Sequence, residues 1–396
     1  MLIRKKGCLF LLFYTLNNLL LILWAWLFCI RKPPSKQKNI FFVIVAFTQL
    51  FLVMALRNQI GFDYNMYAIG FKQMNEEGFT SLTYRDWEVG FVVMTKLLGM
   101  VLPNYIWYIG FLCLIAIIPA AVFIGRHSEI PWLSTILYVN LFIYFMEMNF
   151  LRQMIAVSFV MLAWSFIKRN KFVLFAITIL VASVFHQTVI FVLPAYFLIK
   201  MQPKFKELIV YGYFILWFYM SSEGFIDIIT NFYHEEYTNS EFLTEGLSFV
   251  YAIFPLAVTV TAFLLVKFGT INITSENKYL INLSLICTIF MVAMSKHSIL
   301  ERFSYYFIIF VILLVPVIYR SLEAKGINTT LASGRNIVLT SEKQRKMLAM
   351  GFLIGVLVLS YFHFYYGLFE NAHGVLPYDI WVRFDGVKII RDFIRL

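Results

Sequence analysis

The run "YIWYIGFLCLIAIIPAAVFIG", residues 105–125, carries no charged side chain over twenty-one positions. A helix needs about 20 apolar residues to cross the hydrocarbon core of a bilayer. The stretch "CLFLLFYTLNNLLLILWAWLFCI", residues 8–30, is equally long and equally uncharged. Composition extends the point to the whole chain: 61% of the 396 residues are hydrophobic and 14% charged, more apolar surface than a soluble core can hide. The sequence therefore predicts an all-α polytopic membrane protein, a single integral membrane domain over 1–396 with no internal repeat and no soluble domain. The opening "MLIRKKG" imitates a signal peptide, but the apolar run after it is too long and lacks a small-x-small cleavage site, so it reads as a first helix.

A net charge of +11 raises nucleic acid as a partner, yet the Lys and Arg residues sit in short connections between apolar runs, where they report orientation. A nucleic-acid partner is therefore rejected. Basic clusters at 31–38, 126, 168–171, 200–206, 267–278 and 320–346 all fall in the cytoplasm if an even number of crossings separates each pair. The outward connections are then 57–90, 149–152, the neighbourhood of His186, 221–246, 296–302 and the tail 368–396, with an outer N terminus. Residues 221–246 contain six acidic residues and neither Lys nor Arg, as an outer loop permits. At roughly 20 residues per crossing the pattern gives about twelve transmembrane helices. Residues 171–200 are too few for two full passages and read as two short helices meeting near "FHQT", with His186 in a protein-lined cavity. Residues 89–101 read as a half-length or interfacial helix, and the inner stretch 320–346 as a mobile linker to a last helix at 347–367. Cys8, Cys29, Cys113 and Cys287 lie in apolar segments without a CxxC pair and read as core thiols.

Charges that survive in spanning segments cost about 2.5 to 3.5 kcal/mol near the helix centre, so they tend to face a cavity. Four polar turns stand out. In "LRNQIGFDYNMY", Arg57 is followed by Gly61, Asp63, Tyr64 and Tyr67, and the same loop ends with Asp86 and Glu88. On a helix Asp63 and Tyr67 share a face, and a carboxylate beside tyrosines at a membrane boundary suits a general base next to a sugar platform. The same residues also fit a snorkelling Arg57, an aromatic belt and a helix cap at Asp63. In "MNFLRQMIA", Asn149, Arg152 and Gln153 fall at i, i+3 and i+4 and line one face of a helix. Arg152 fits anion recognition through paired donors, or equally a structural ion pair with a carboxylate. His186 fits a functional group or a hydrogen-bonded packing residue. In "SKHSILERFSYY", Lys296, His297, Glu301 and Arg302 occupy a further turn, where Glu301 and Arg302 also fit simple pairing with neighbours.

Under the charge-derived topology all four turns emerge on one side. Together they offer cations for a diphosphate and carboxylates for a hydroxyl, the needs of glycosyl transfer from a lipid-linked sugar. No divalent-metal motif is visible, so neither metal nor cofactor is expected and arginine takes the task of offsetting the leaving group's charge.

At these residues the chain resembles the EpsG-type family of bacterial membrane proteins, related in role to the Wzy-type polysaccharide polymerases. The likeness rests on "RNQIGFDYNMY", "WEVGF", "FLRQMIAVS", "FHQTVIFVLPAYF" and "ERFSYYF" in that order, with "LPYDIW" as an aromatic ending. This chain has Phe62 where the family more often shows a small or hydroxyl residue before the Asp. The resemblance implies a glycosyltransferase that joins undecaprenyl-diphosphate-linked oligosaccharide repeat units at the outer face of the bacterial cytoplasmic membrane, making exopolysaccharide, capsule or O-antigen. It also implies a GT-C-like architecture, a chain-length regulator and a separate flippase as partners beside the bilayer and the growing polysaccharide. In that comparison Asp63 is the candidate base with Glu88 and Glu301 as rivals, His186 a shaping or proton-relay group, and Arg152 and Arg302 the diphosphate binders. Arg57, Tyr64, Tyr67, Asn149, Gln153 and Lys296 are the further expected substrate contacts. A lipid-linked oligosaccharide flippase and a membrane acyltransferase are the alternatives; the first would show mid-membrane polar residues and often repeats, the second an inner approach to His186.

Overall fold

The computed structural model describes the chain except residues 1, 32–34, 103, 205–207, 233–244, 331–335 and 381–396. It divides into two compact units, Met1–Ile190 with Phe364–Leu396, and Phe191–His363.

The first unit contains α1 (Leu2–Ala25, continued by a π turn Trp26–Ile30), α2 (Lys36–Ala55), α3 (Tyr64–Glu77), α4 (Val89–Gly99) and α5 (Tyr105–His127). It continues with α6 (Pro131–Asn140), α7 (Ile143–Asn149), α8 (Leu151–Lys168) and α9 (Phe172–Ser183). Helix starts follow local chemistry. Ser35 Oγ accepts the Lys38 N–H, and Asn104 Oδ1 accepts those of Ile106 and Trp107, satisfying donors that a helix leaves orphaned at its first turn. α5 ends on Arg126 and His127, cations against the carbonyl end of the helix. α2 packs on α5, and Ala46, Ala116 and Ala120 are buried, the small residues that let helix backbones approach in lipid. Leu16, Ile44, Val122, Leu162 and Val173 are exposed, as a lipid-facing surface requires. Polar side chains inside this unit bond across helices: Asn18 Nδ2 donates to Asn140 Oδ1 at 2.6 Å, and Gln49 joins Trp24 and Asn17.

The second unit is built on Val250–Lys267, Ser275–Ala293 and Ile308–Lys325. The helix Glu342–Phe369 carries the chain out of it.

Among the described residues six helices are long and apolar enough to cross a membrane, seven if the bent pair Ser298–Ser304 and Ile308–Lys325 is one span. This corrects the expected count of about twelve. Apolar composition was being used for burial inside protein as well as for contact with lipid: α7 is buried at every residue, and the apolar stretch 131–149 breaks at Phe142, φ 65°, into two short helices. Residues 171–200 do form two short helical pieces on either side of His186, and 89–99 is a half-length helix. Of the expected mobile linker at 320–346, residues 331–335 lie outside the described residues. Its helix runs to Lys325, Gly326 turns at φ 68°, and Ile327–Thr330 pairs antiparallel with Asn336–Leu339 before the next helix begins at Glu342. Of the expected outer loop 221–246, residues 222–232 are helical and 233–244 lie outside the described residues, as does the tail beyond residue 380.

Candidate functional site

The loop between α2 and α3 is organised from beneath by Arg57. Its side chain is fully buried, not snorkelling. Nε donates to Ile60 C=O at 3.1 Å, Nη2 to Met148 C=O at 2.8 Å, and Nη1 to Met54 C=O and Cys113 Sγ. The guanidinium also lies 5.5 Å from the Tyr64 ring. Carbonyl dipoles therefore replace the water that a buried cation loses, and the donors fix the loop that leads to Asp63.

Asp63 stands at the start of α3, half-buried, with the Tyr67 N–H on its carbonyl at 3.1 Å. Asp63 and Tyr67 thus share a helical face as their spacing predicts. The Tyr67 phenol is buried, and desolvation pushes its pKa above the ordinary value; the Arg152 charge acts in the opposite sense and Asp63 in the same one. Its hydroxyl accepts the Arg152 N–H at 3.4 Å. Tyr67 therefore links the loop carboxylate to the next subsite.

That subsite is centred on Arg152. Nη1 meets Glu88 Oε2 at 2.8 Å, Nη2 lies 3.7 Å from Asp86 Oδ2, and the guanidinium sits 5.4 Å from the Trp87 ring. Glu88 Oε1 in turn meets His186 Nδ1 at 2.9 Å and accepts the Gln187 N–H at 3.2 Å. Burial raises the Glu88 pKa, but the His186 hydrogen bond and the charges of His186 and Arg152 outweigh it and bring the carboxyl down to about 2. Both oxygens are engaged, so Glu88 is an ionised anchor that orients His186 and Arg152 and a weak proton acceptor.

Asn149, Arg152 and Gln153 do not share one continuous helical face. α7 ends at Asn149, Phe150 breaks the helix at φ −88°, ψ 51°, and α8 starts at Leu151. The break sends the two polar side chains to neighbouring subsites. Arg152 takes Glu88, while Asn149 Oδ1 accepts the Asp63 N–H at 3.4 Å and Nδ2 donates to His373 C=O at 3.0 Å. Gln153 is buried on α8. Asp63, Tyr67, Glu88, Asn149, Arg152 and His186 are thus gathered within one unit of the molecule.

The remaining candidates belong to the second unit. Lys296 Nζ pairs with Glu223 at 3.0 Å and donates to Met220 C=O. Glu301 opens the short helix Glu301–Ser304 and interacts with Tyr305 and Arg302.

Two contributors were not among the sequence candidates. Trp87, flanked by both carboxylates in "RDWEV", was legible as an aromatic beside charges. His373 was not, because it reaches Asn149 through its backbone carbonyl.

No curated protein and no solved structure matches the chain. A family model does, over residues 39–380, a range that takes in both units and every polar turn described above, and the chain belongs to the EpsG family of polysaccharide-biosynthesis membrane proteins.

Proposed function

We propose that the chain is a polysaccharide polymerase, a membrane glycosyltransferase that joins undecaprenyl-diphosphate-linked oligosaccharide repeat units at the outer face of the bacterial cytoplasmic membrane. The observation that carries this reading is the meeting of four distant segments, around residues 63–67, 86–88, 149–152 and 186, in one cluster of carboxylates, guanidinium, imidazole and aromatic rings. Family membership supports it. A GT-C-like arrangement, a flippase that delivers the substrate and a chain-length regulator belong to the same reading.

In this reaction the acceptor hydroxyl gives its proton to a base, its oxygen bonds to the anomeric carbon of the donor sugar, and the bond from that carbon to the diphosphate breaks with its electron pair going to the leaving group. Glu88, its carboxyl held down to about 2, is a weak proton acceptor, so this reading takes Asp63 as the base with Glu301 as its rival. His186, held through Nδ1 by Glu88 at 2.9 Å, suits proton relay. Within the first unit Arg152 is the cation that offsets the growing diphosphate charge. At Arg152 the displaceable partner is Asp86, exposed and distant at 3.7 Å, whereas Glu88 at 2.8 Å stays.

The test is polymerisation by purified protein from a synthetic lipid-linked repeat unit. Asp63→Asn and Arg152→Ala are expected to remain in the membrane and leave single repeat units on the carrier. Full-length polymer from both variants would remove these roles. A wild-type protein that moves the labelled lipid across a vesicle membrane without joining units would replace the polymerase by a flippase.

A further inference from the structure

We infer that Asn149 is a positioning residue for Asp63 and that it acts with the C-terminal segment 373–380, which serves as a strap across the catalytic loop. This rests on the reading of Asp63 as the base.

The Asn149 side chain is buried and its hydrogen-bonding capacity is taken up by the protein. Oδ1 accepts the Asp63 N–H, and Nδ2 donates to His373 C=O at 3.0 Å and Phe145 C=O at 3.3 Å. The partners fix the orientation of the amide, since a flip would set its NH2 against an N–H and its oxygen against two carbonyls. One side chain thus ties the loop, α7 and the tail together. It also lies so close to the loop that a Cβ on Gly61 would sit 2.8 Å from Oδ1.

The strap repeats this hold along the loop. The Asn58 N–H donates to Asp379 C=O at 2.9 Å and the Gly61 N–H to Gly374 C=O at 3.0 Å, with a bridge between Arg57 and Ile380. Tyr378 anchors the strap on the helices: its hydroxyl donates to Val53 C=O at 2.8 Å and its ring stacks on Phe13 at 3.8 Å. A Cβ on Gly374 would meet the Phe62 ring at 2.7 Å. The loop has no regular secondary structure of its own, so these bonds, together with those of Arg57, help set where the Asp63 backbone stands. A base displaced by about 1 Å loses on the order of a hundredfold in rate, which gives this scaffold a catalytic consequence. Asn149, expected from sequence to touch substrate, therefore acts through Asp63.

Two readouts test this. In polymerisation, Asn149→Ala is expected to lower kcat about tenfold to hundredfold while KM stays within about threefold. In a background with the four native cysteines replaced by Ser, Asp63→Cys is labelled with a membrane-impermeant maleimide, and adding Asn149→Ala is expected to raise the labelling rate about tenfold. A disulfide between Asn58→Cys and Asp379→Cys should bring that rate back. Unchanged labelling overturns the proposal, and so does a rise in KM with kcat retained, which would make Asn149 a substrate contact. If the wild-type protein joins no repeat units, the polymerase reading fails while the labelling still decides whether Asn149 and the strap hold the loop. Should Asn149→Ala fail to fold, Gly374→Ala, which strains the strap at φ 62° and presses on Phe62 while keeping the Asn149 side chain, is put through the same two measurements with the same expectations.

Discussion

Arg152 and Glu88 meet head to head, Nη1 to Oε2 at 2.8 Å, with 13% and 5% of their side chains exposed. A pair this enclosed contributes through the penalty of breaking it, which reaches about 3 to 5 kcal/mol where a buried charge is left unpaired and is smaller here because Asp86 stays beside Arg152 and His186 beside Glu88. Glu88→Gln is therefore expected to lower the thermal stability of the detergent-purified protein clearly, and Arg152→Ala likewise. The double variant should lose less than the sum of the two, which a double-mutant cycle measures directly. Additive losses would mean that the two side chains do not depend on each other.

The depressed Glu88 carboxyl sets a pH window. Its folded value of about 2 lies below the ordinary 4.5, so its contribution to stability is fully present above about 4.5 and is lost as the pH falls toward 2. Between pH 5 and 8 this group does not titrate. An acid limb of activity in that range belongs to another residue and is expected to persist in Glu88→Gln when melting temperature and polymerisation are followed in parallel. A melting temperature that already falls steeply between pH 7 and 5 in wild type but not in Glu88→Gln would contradict this.

Gly61 joins two constraints at one position. Its φ of +96° lies in the region that side chains avoid, and Asn149 occupies the space that a Cβ would take. Gly61→Ala is expected to cost about 1 to 3 kcal/mol from backbone strain alone and to displace the Asp63 N–H from Asn149 Oδ1. Activity should fall more than that of Gly212→Ala, where nothing lies within 4 Å of the added Cβ. Equal activities in the two variants would show that the loop tolerates the shift.

How much of this was legible in the sequence depended on whether a residue's partner was near it along the chain. The half-length helix before Pro103 and the break around His186 follow from local chemistry. Asp63 and Tyr67 were placed on one face by spacing alone. The partition of Asn149 from Arg152 was not readable, because nothing in "NFLR" announces the break at Phe150 that packing imposes. Arg57 illustrates the limit best. A cation at the end of an apolar run suggests snorkelling, yet its acceptors are carbonyls of residues 54, 60 and 148, the last of which no local rule could supply. The span count erred for a related reason: hydropathy reports apolar character and does not separate lipid contact from burial in protein.

Docking of the strap carries a pH dependence of its own. Desolvation of the half-buried His373 ring, packed against Phe142 and Phe150, lowers its pKa from the ordinary 6.5 to about 4. Folding therefore favours the neutral ring: stability is full above about 6.5 and declines as the pH falls toward 4, because the undocked segment takes up a proton that the docked one resists. The His373 carbonyl is the acceptor for Asn149 Nδ2, so loss of docking at this residue loosens the Asp63 loop as well. Labelling of Asp63→Cys, corrected for the pH dependence of the free thiol, is expected to rise between pH 7 and 5. Substitution by a residue that cannot titrate, His373→Gln, should remove that rise, and locking the strap with the 58–379 disulfide should suppress it in the otherwise wild-type background. If corrected labelling is independent of pH in all three proteins, protonation of His373 does not govern how the strap is held.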